Sequence, residues 1–373
     1  MFNPLRLKQA RERRKLTKKA FADLVGVSSK TISVYESSQP LFELQEETIE
    51  SFAQCLGYPV EFFYKKSTEI ISSESISYRA VTTLSSKLKL ATESASINAF
   101  ELSEWIDSKF SKLPKVDLPD YSHDNRHDPE AAASELRDMW GLGELAIKNL
   151  VHLLESKGVR VFSLSEDCKE VDAFSFWKGG KPFVILNQFK TPERSRFDAA
   201  HELAHLILHK HSSQNKGREA ELEADRFASA FLIPRGSVLS KVRPNGNASL
   251  TDIIDLKKNW HVSAMAMIRR LYDLNCLTEW QYRQLTIQAN KEGYRSSEPI
   301  GLEKREQSLL LEKVFASLKE KGVRRNDIAR ELALPLDEIS SLTFNNTFFN
   351  LSIVSQNSIE PDRKSTAQLS LVK

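Results

Sequence analysis

The sequence has few cysteines for its 373 residues and no long apolar run. Cys55, Cys168 and Cys276 are odd in number and far apart, which argues against a disulfide framework and against a thiolate metal site. No stretch approaches the roughly 18 uncharged apolar residues of a membrane span, and the first residues lack the apolar core of a signal peptide. We therefore expect a soluble, cytoplasmic protein that does not bind membranes, with two or three domains at about 150 residues each.

Net charge is also small, at +3, but it is unevenly distributed. Among residues 1–35, nine side chains are basic and only Glu12 and Asp23 are acidic, so the rest of the chain is net acidic. A polyanion would therefore be attracted to the N-terminus. The nine basic residues are Arg6, Lys8, Arg11, Arg13, Arg14, Lys15, Lys18, Lys19 and Lys30.

The same N-terminal stretch predicts short helices joined by a tight turn. The first covers residues 4–15 with its basic side chains outside, and Thr17 is a good N-cap for the second, which Gly26 ends. Ser28 caps a third helix, and Glu46 to Leu56 forms a fourth. This spacing predicts a helix-turn-helix, with a plain helical bundle as the alternative. The side chains expected to be buried in the second helix are Ala20, Phe21, Leu24 and Val25.

The segment from Leu5 to Glu36 resembles the XRE (Cro/C1-type repressor) family, and the resemblance covers residues 4–64. The matching residues include Leu5, Arg11, Glu12, Leu16, Thr17, Ala20, Phe21, Ala22, Gly26, Val27, Ser28, Thr31, Ile32, Tyr35 and Glu36. The resemblance implies that the third helix enters the major groove of double-stranded operator DNA. Such domains usually bind as homodimers on paired half-sites. The residues that would reach bases are Ser29, Lys30, Thr31 and Ser33, and those that would hold phosphates are Lys18, Lys19 and Arg14.

Downstream of this segment the pattern changes to a linker and then to short strands. Residues 65–95 are rich in Ser and Thr and predict a linker, followed by a helix over Ala95 to Phe110. Three β-branched or alternating runs then predict a small antiparallel sheet whose edge could hold an extended peptide. The three runs are Val159 to Leu164, Asp172 to Trp177 and Pro182 to Asn187, with Gly179-Gly180 as the hairpin turn.

An H-E-x-x-H motif follows the sheet, from His201 to His205. Two histidines four apart stack on one helix face and could both bind a zinc ion, with Glu202 beside them to accept a proton from water. The alternative is a buried amphipathic helix whose histidines are satisfied by hydrogen bonds. His209 and His211 are further candidates for oxyanion stabilisation or proton donation, or they are surface residues at a helix end.

A catalytic zinc needs a third protein ligand, and the helix around residues 218–232 offers three glutamates. On a helical projection Glu221 lies about 60° from the centre of the buried stripe, whereas Glu223 lies about 100° away and Glu219 lies farther still. Glu221 is therefore the preferred ligand, although all three could form a solvated face. Asp225 lies one turn beyond Glu221 and could accept a hydrogen bond from a ligating histidine.

This middle region resembles the ImmA/IrrE family of zinc metallopeptidases over residues 130–290. The matching residues are the strand end Ile185 to Asn187, then Arg194, Arg196, Phe197, Ala200 to Leu206, Leu208 and His209, then Glu221, Glu223 to Asp225, Phe227, Ala228, Phe231, Leu232 and Pro234. The resemblance implies zinc ligation by His201, His205 and Glu221, with Glu202 as general base in metal-assisted hydrolysis of a peptide bond. Ala204 stands where members often have Gly, and it removes no ligand.

We therefore expect a mainly α protein with a small antiparallel sheet (α+β), in which an all-α helix-turn-helix domain precedes a zincin-like metallopeptidase domain. The predicted organisation is a helix-turn-helix domain at 1–66, a linker with a helix at 67–128, the peptidase domain at 129–300, a helical segment at 301–344 and a disordered tail at 345–373. Within the helical segment, Val323 to Leu334 resembles a helix-turn-helix. Acidic residues are interleaved with its basic ones, so the pattern favours a packing or dimerisation element at least as strongly as a second DNA contact.

The expected function is a DNA-binding transcriptional regulator with a zinc-dependent endopeptidase. By resemblance, its protein substrate or partner is a regulatory protein such as a repressor or a toxin, in stress response, mobile-element control or a toxin-antitoxin locus. The alternative is a transcription factor or antitoxin whose metallopeptidase fold senses a ligand or partner with little proteolysis.

Overall fold

The computed structural model describes residues 1–37, 44–66, 85–122, 128–164, 173–210, 217–242 and 248–349, together with the backbone of 77–78. Cys168, His211 and the tail beyond residue 349 lie outside these residues. No helix in the described ranges is long and apolar enough to cross a bilayer.

The N-terminal residues form the expected bundle of short helices. Thr17 Oγ1 accepts a hydrogen bond from Ala20 N (3.1 Å), and Ser28 Oγ accepts one from Thr31 N (3.0 Å). Gly26 ends the second helix at φ 72°, a conformation that costs a side-chain-bearing residue more. These caps confirm the predicted helix starts. The elements are α1 (Pro4–Arg13), α2 (Lys18–Val25), α3 (Ser29–Tyr35), α4 (Glu46–Leu56) and a 3₁₀ helix (Val60–Tyr64).

Two expectations about this bundle are wrong. Leu24 was expected in the core but is 62% exposed, since Phe21 and Ala22 alone fill the buried side of α2. The basic side chains of α1 do not all face solvent, because three arginines are buried against carboxylates from distant segments of the chain. Helical periodicity within α1 cannot reveal partners from elsewhere in the chain. Because these arginines are buried, much of the N-terminal excess of basic residues lies inside the protein. The three pairs are Arg6–Glu101, Arg11–Glu36 and Arg13–Glu338.

The predicted linker is shorter than expected, because α5 (Ser86–Lys109) begins well before Ala95 and packs against α1. Its Ser and Thr side chains suggested a linker, yet several are buried inside the helix. Thr92 Oγ1 donates to Leu88 O, and Ser96 Oγ donates to Thr92 O, both at 2.9 Å. Small hydroxyls that bond one turn back along their own helix can be buried at little cost.

The central sheet is mixed, which corrects the expectation of an antiparallel sheet. Its strands are β1 (Ser77–Tyr78), β2 (Arg160–Leu164), β3 (Phe174–Lys178) and β4 (Lys181–Asn187), in the order β1-β3-β4-β2. The β3–β4 hairpin turns at Gly179-Gly180 as predicted, but β2 pairs with β4 in parallel, with Arg160 opposite Phe183. Alternation of apolar and polar residues identifies a strand. Which strand it pairs with depends instead on how the chain crosses the sheet.

The remaining elements are helices, several of which pack against the sheet. Two of them follow α5 and lie between β1 and β2 in the chain, α6 (Pro129–Met139) and α7 (Leu150–Ser156). Those that follow are α8 (Pro192–Leu208), α9 (Arg218–Leu232), α10 (Arg235–Leu239), α11 (Leu250–Lys257), α12 (Ala264–Asp273), α13 (Glu279–Lys291), α14 (Leu309–Glu320), α15 (Arg325–Leu332) and α16 (Leu336–Leu342).

The C-terminal helices connect the two ends of the molecule. On one side Ser163 Oγ of β2 donates to Ser341 O (2.7 Å) and accepts from Phe344 N (2.8 Å). On the other side Glu338 of α16 pairs with Arg13 of α1 at 2.8 Å. Within this chain, α15 and α16 therefore act as a packing element. Phe349 is buried too, so the packed chain extends past the expected start of the disordered tail at 345.

Replacing Glu338 by Ala should destabilise the protein by about 3 to 5 kcal/mol, because Arg13 would stay buried without this carboxylate. The neighbouring Asp337 provides the control: its side chain is 63% exposed and pairs with Arg14, so Asp337→Ala should cost only about 0 to 1 kcal/mol. Urea unfolding followed by tryptophan fluorescence measures both. Equal effects of the two substitutions would show that the buried pair does not hold α16 on α1.

Candidate metal centre

The two motif histidines lie on a helix that protein surrounds on every side. All residues of α8 from Asp198 to Leu208 are buried, and the helix packs against β3, β4, α7 and α9. Small residues such as Ala200 and Ala204 allow these neighbours to approach closely. The helix therefore holds both imidazoles away from bulk water.

Helix α9 brings Glu221 to the two imidazoles. His201 Nε2 and His205 Nε2 lie 3.0 Å apart, and the Glu221 carboxylate lies 3.2 Å from the first and 3.4 Å from the second. These three residues form a group that could hold a metal ion.

The other two glutamates of α9 point elsewhere. Glu219 is exposed, and Glu223 contacts His209 (2.8 Å). Asp225, one turn beyond Glu221, accepts from His201 Nδ1 at 2.9 Å. This hydrogen bond assigns the His201 proton to Nδ1 and leaves a lone pair on Nε2.

The donor set suits a cation. Two imidazole nitrogens and a carboxylate oxygen converge within 3.0–3.4 Å of one another, and Glu221 Oε2 is a buried oxygen without a hydrogen-bond partner. Lone pairs at this distance repel unless a proton or a metal ion lies between them. Two histidines and one carboxylate, with a position left for water, are the ligands of many catalytic zinc sites.

The ionisation states also suit metal binding. Burial lowers the pKa of His205 to about 4, so its imidazole is neutral at pH 7. Burial acts to raise the pKa of Glu221, but the adjacent His201 and His205 side chains outweigh it and bring that pKa to about 2. A neutral imidazole and an ionised carboxylate are the forms that bind metals.

Glu202 occupies a separate buried position beside the two histidines. Its side chain is in the protein interior, where burial raises its pKa to about 7, partly offset by His201 and by Ser175. Ser175 Oγ of β3 donates to Glu202 Oε2 at 2.6 Å. A carboxyl group with a pKa near the working pH is well suited to accept and return a proton. Ser175 was not predicted, because its contact with α8 exists only in the folded sheet.

Most of the residues expected to contact DNA are exposed on the N-terminal bundle. Ser29, Lys30 and Ser33 on α3 are exposed, as are Lys18 and Lys19 at the start of α2. Two of them touch, since Lys18 Nζ donates to Ser33 Oγ at 3.2 Å.

Two other residues of this set have partners within the protein. Thr31 is half-buried and its hydroxyl bonds to Ser28 (2.8 Å). The Arg14 guanidinium contacts Asp337 and the Leu56 carbonyl. A phosphate would therefore compete with these partners for Arg14.

Two family models match the sequence. Residues 154–272 match the model of a peptidase family, described as IrrE N-terminal-like domain, and residues 7–63 match the model described as Helix-turn-helix. The chain carries both domains. Comparison with curated proteins gives no match.

The IrrE N-terminal-like domain contains every residue of the metal centre. The match extends from α7 to α12, so it includes β2, β3, β4, α8 and α9. On β3, the strand that carries Ser175, the outer edge pairs with β1 of the same chain, with Ser77 opposite Ser175. This edge of β3 therefore already carries two residues of the same chain.

His209 caps the C-terminus of α8 and contacts groups other than those expected. Its Nδ1 lies 3.0 Å from His205 Nδ1, and its Nε2 lies 2.8 Å from Glu223 Oε2. It is therefore neither a surface residue nor directed at the convergence point of the three candidate ligands.

Glu221→Ala should weaken Zn²⁺ binding at least about tenfold, because two histidines alone leave the site short of a ligand. Glu219→Ala removes an exposed glutamate from the same helix and should leave binding unchanged. Competition with a chromophoric chelator measures both affinities. Equal Zn²⁺ affinity of wild type and Glu221→Ala would exclude Glu221 as a ligand.

Proposed function

We propose that this protein is a DNA-binding transcriptional regulator whose second domain is a zinc-dependent endopeptidase acting on a regulatory protein. The observation that carries the proposal is the convergence of His201, His205 and Glu221 around one point, with the buried Glu202 beside them. The helix-turn-helix match supports the DNA-binding part.

In this proposal His201, His205 and Glu221 hold zinc, and Asp225 keeps His201 in the tautomer that presents Nε2. Zinc supplies Lewis acidity, which makes water a better nucleophile and polarises a peptide carbonyl. Glu202 Oε1 takes the proton of the attacking water and passes it to the leaving amine, while Ser175 holds Oε2. Burial of Glu202 raises its pKa and so keeps its proton affinity high enough for this transfer.

Because the same chain carries a helix-turn-helix domain, we expect the substrate to be a regulatory protein and not protein that is digested for nutrition. In our proposal α3 lies in the major groove of an operator, with Ser29, Lys30, Thr31 and Ser33 towards bases and Lys18 and Lys19 on phosphates. The protein would bind as a homodimer on paired half-sites. A repressor or a toxin encoded nearby is the kind of protein that such a peptidase would cleave.

Glu202→Gln should leave zinc bound and lower peptide hydrolysis by about 10²-fold or more, because the amide cannot accept the proton from water. Ser175 can still donate to the Gln oxygen, so the fold should be kept. Proteins that accumulate on this variant in cells identify the substrate, and zinc content is measured in parallel. If regulation of the target survives the substitution unaltered, the metal domain acts as a sensor or partner-binding module.

Two pairs of substitutions distinguish side chains that read bases from those that hold phosphates. Lys30→Ala with Thr31→Ala should reduce affinity for an operator selected with the wild-type protein by about 1 to 3 kcal/mol for each base that is no longer read, with little effect on unrelated DNA. Lys18→Ala with Lys19→Ala should weaken binding to both DNAs and reduce the slope of log affinity against log salt by about 2. Electrophoretic titrations at several salt concentrations measure both. Full operator affinity in the first pair would exclude α3 as the reading helix.

A further inference from the structure

His209 and Glu223 form a contact beside the metal centre that the proposed hydrolysis does not use. The His209 side chain is 8% exposed and lies between His205 and Glu223. Two ring nitrogens, His209 Nδ1 and His205 Nδ1, face each other at 3.0 Å. One of them must donate and the other must accept, so the two tautomers depend on each other.

The carboxylate of Glu223 decides which nitrogen donates. An ionised carboxylate only accepts hydrogen bonds, so His209 must donate to it from Nε2 (2.8 Å). A neutral imidazole has one N–H, which leaves a lone pair on His209 Nδ1. His205 therefore donates from Nδ1, and its own lone pair lies on Nε2, the nitrogen that faces His201 and Glu221.

We infer that Glu223 and His209 are positioning residues that fix His205 in the tautomer able to bind the metal. The inference rests on the proposed metal site. Asp225 does the same for His201 directly, at 2.9 Å, whereas Glu223 acts on His205 through one intervening imidazole. Helix α9 thus provides a ligand, Glu221, and one orienting carboxylate for each ligating histidine. Without such a partner a neutral imidazole divides its proton between both nitrogens, and the fraction with a proton on Nε2 cannot bind.

Zinc affinity and the His205 tautomer together test this inference. Glu223→Ala should raise the Kd for Zn²⁺ about 10- to 100-fold, as loss of an orienting partner does at other metal sites. Glu223→Gln keeps an oxygen that accepts from His209 Nε2, so its Kd should stay within about threefold of wild type. Glu219→Ala is the matched control for loss of one negative charge from α9 and should have no effect.

A second pair of variants tests whether the two residues act in series. His209→Leu removes the acceptor of the His205 proton and should weaken Zn²⁺ binding as much as Glu223→Ala does. Adding Glu223→Ala to His209→Leu should then weaken binding no further, since the carboxylate has lost its link to His205. Additive losses would mean that Glu223 acts by general electrostatic attraction, and this would overturn the inference.

The tautomer itself is visible in the metal-free protein, from the ¹⁵N chemical shifts and two-bond couplings of the His205 ring. Wild type and Glu223→Gln should show the proton on Nδ1, whereas Glu223→Ala should show a mixture. A wild-type proton on Nε2, or an unchanged tautomer and Kd in Glu223→Ala, would overturn the inference. This measurement needs neither bound zinc nor proteolysis. A wild-type protein that binds no Zn²⁺ would refute the proposed function, while the tautomer result would still decide the hydrogen-bond relay.

Discussion

Two imidazole nitrogens that face each other at 3.0 Å inside a buried helix are the constraint on which the second domain depends. Their lone pairs repel, so the surrounding protein must hold them in place, and under the proposed function it must also supply carboxylates to balance the charge of a cation between them. Burial of α8 between the sheet and α9 holds the two imidazoles in place. Helix α9 supplies the carboxylates, because Glu221 contacts both histidines and Asp225 contacts His201.

The same burial gives chemically similar groups different properties. Glu202 and Glu221 are both glutamates near the same histidines, yet the pKa of one is raised to about 7 and that of the other is lowered to about 2. The two adjacent imidazoles outweigh burial at Glu221, whereas His201 and the Ser175 hydroxyl do not outweigh it at Glu202. Under the proposed function, one carboxylate is thereby suited to hold a cation and the other to exchange a proton.

The helix-turn-helix domain and the domain with the candidate metal centre are connected by packing as well as by the chain between them. Helix α16 contacts α1 through the buried Arg13–Glu338 pair and contacts β2 through Ser163. Arg14, a candidate phosphate contact, shares the same acidic helix. A change in either domain that moves α16 would therefore act on the other. This connection uses some of the positive charge that made the N-terminus look like an exposed basic surface.

The sequence by itself determined what depends on neighbours along the chain. The caps at Thr17 and Ser28, the Gly179-Gly180 hairpin and the H-E-x-x-H spacing follow from local geometry, and the preference for Glu221 followed from helical periodicity. Tertiary structure alone decided the contacts between distant segments. Examples are the parallel pairing of β2 with β4, the burial of Arg13 against Glu338 and the contact of Ser175 with Glu202. Glu223 shows the reason, since it resembled a solvated residue on its own helix until α8 placed His209 within hydrogen-bond distance.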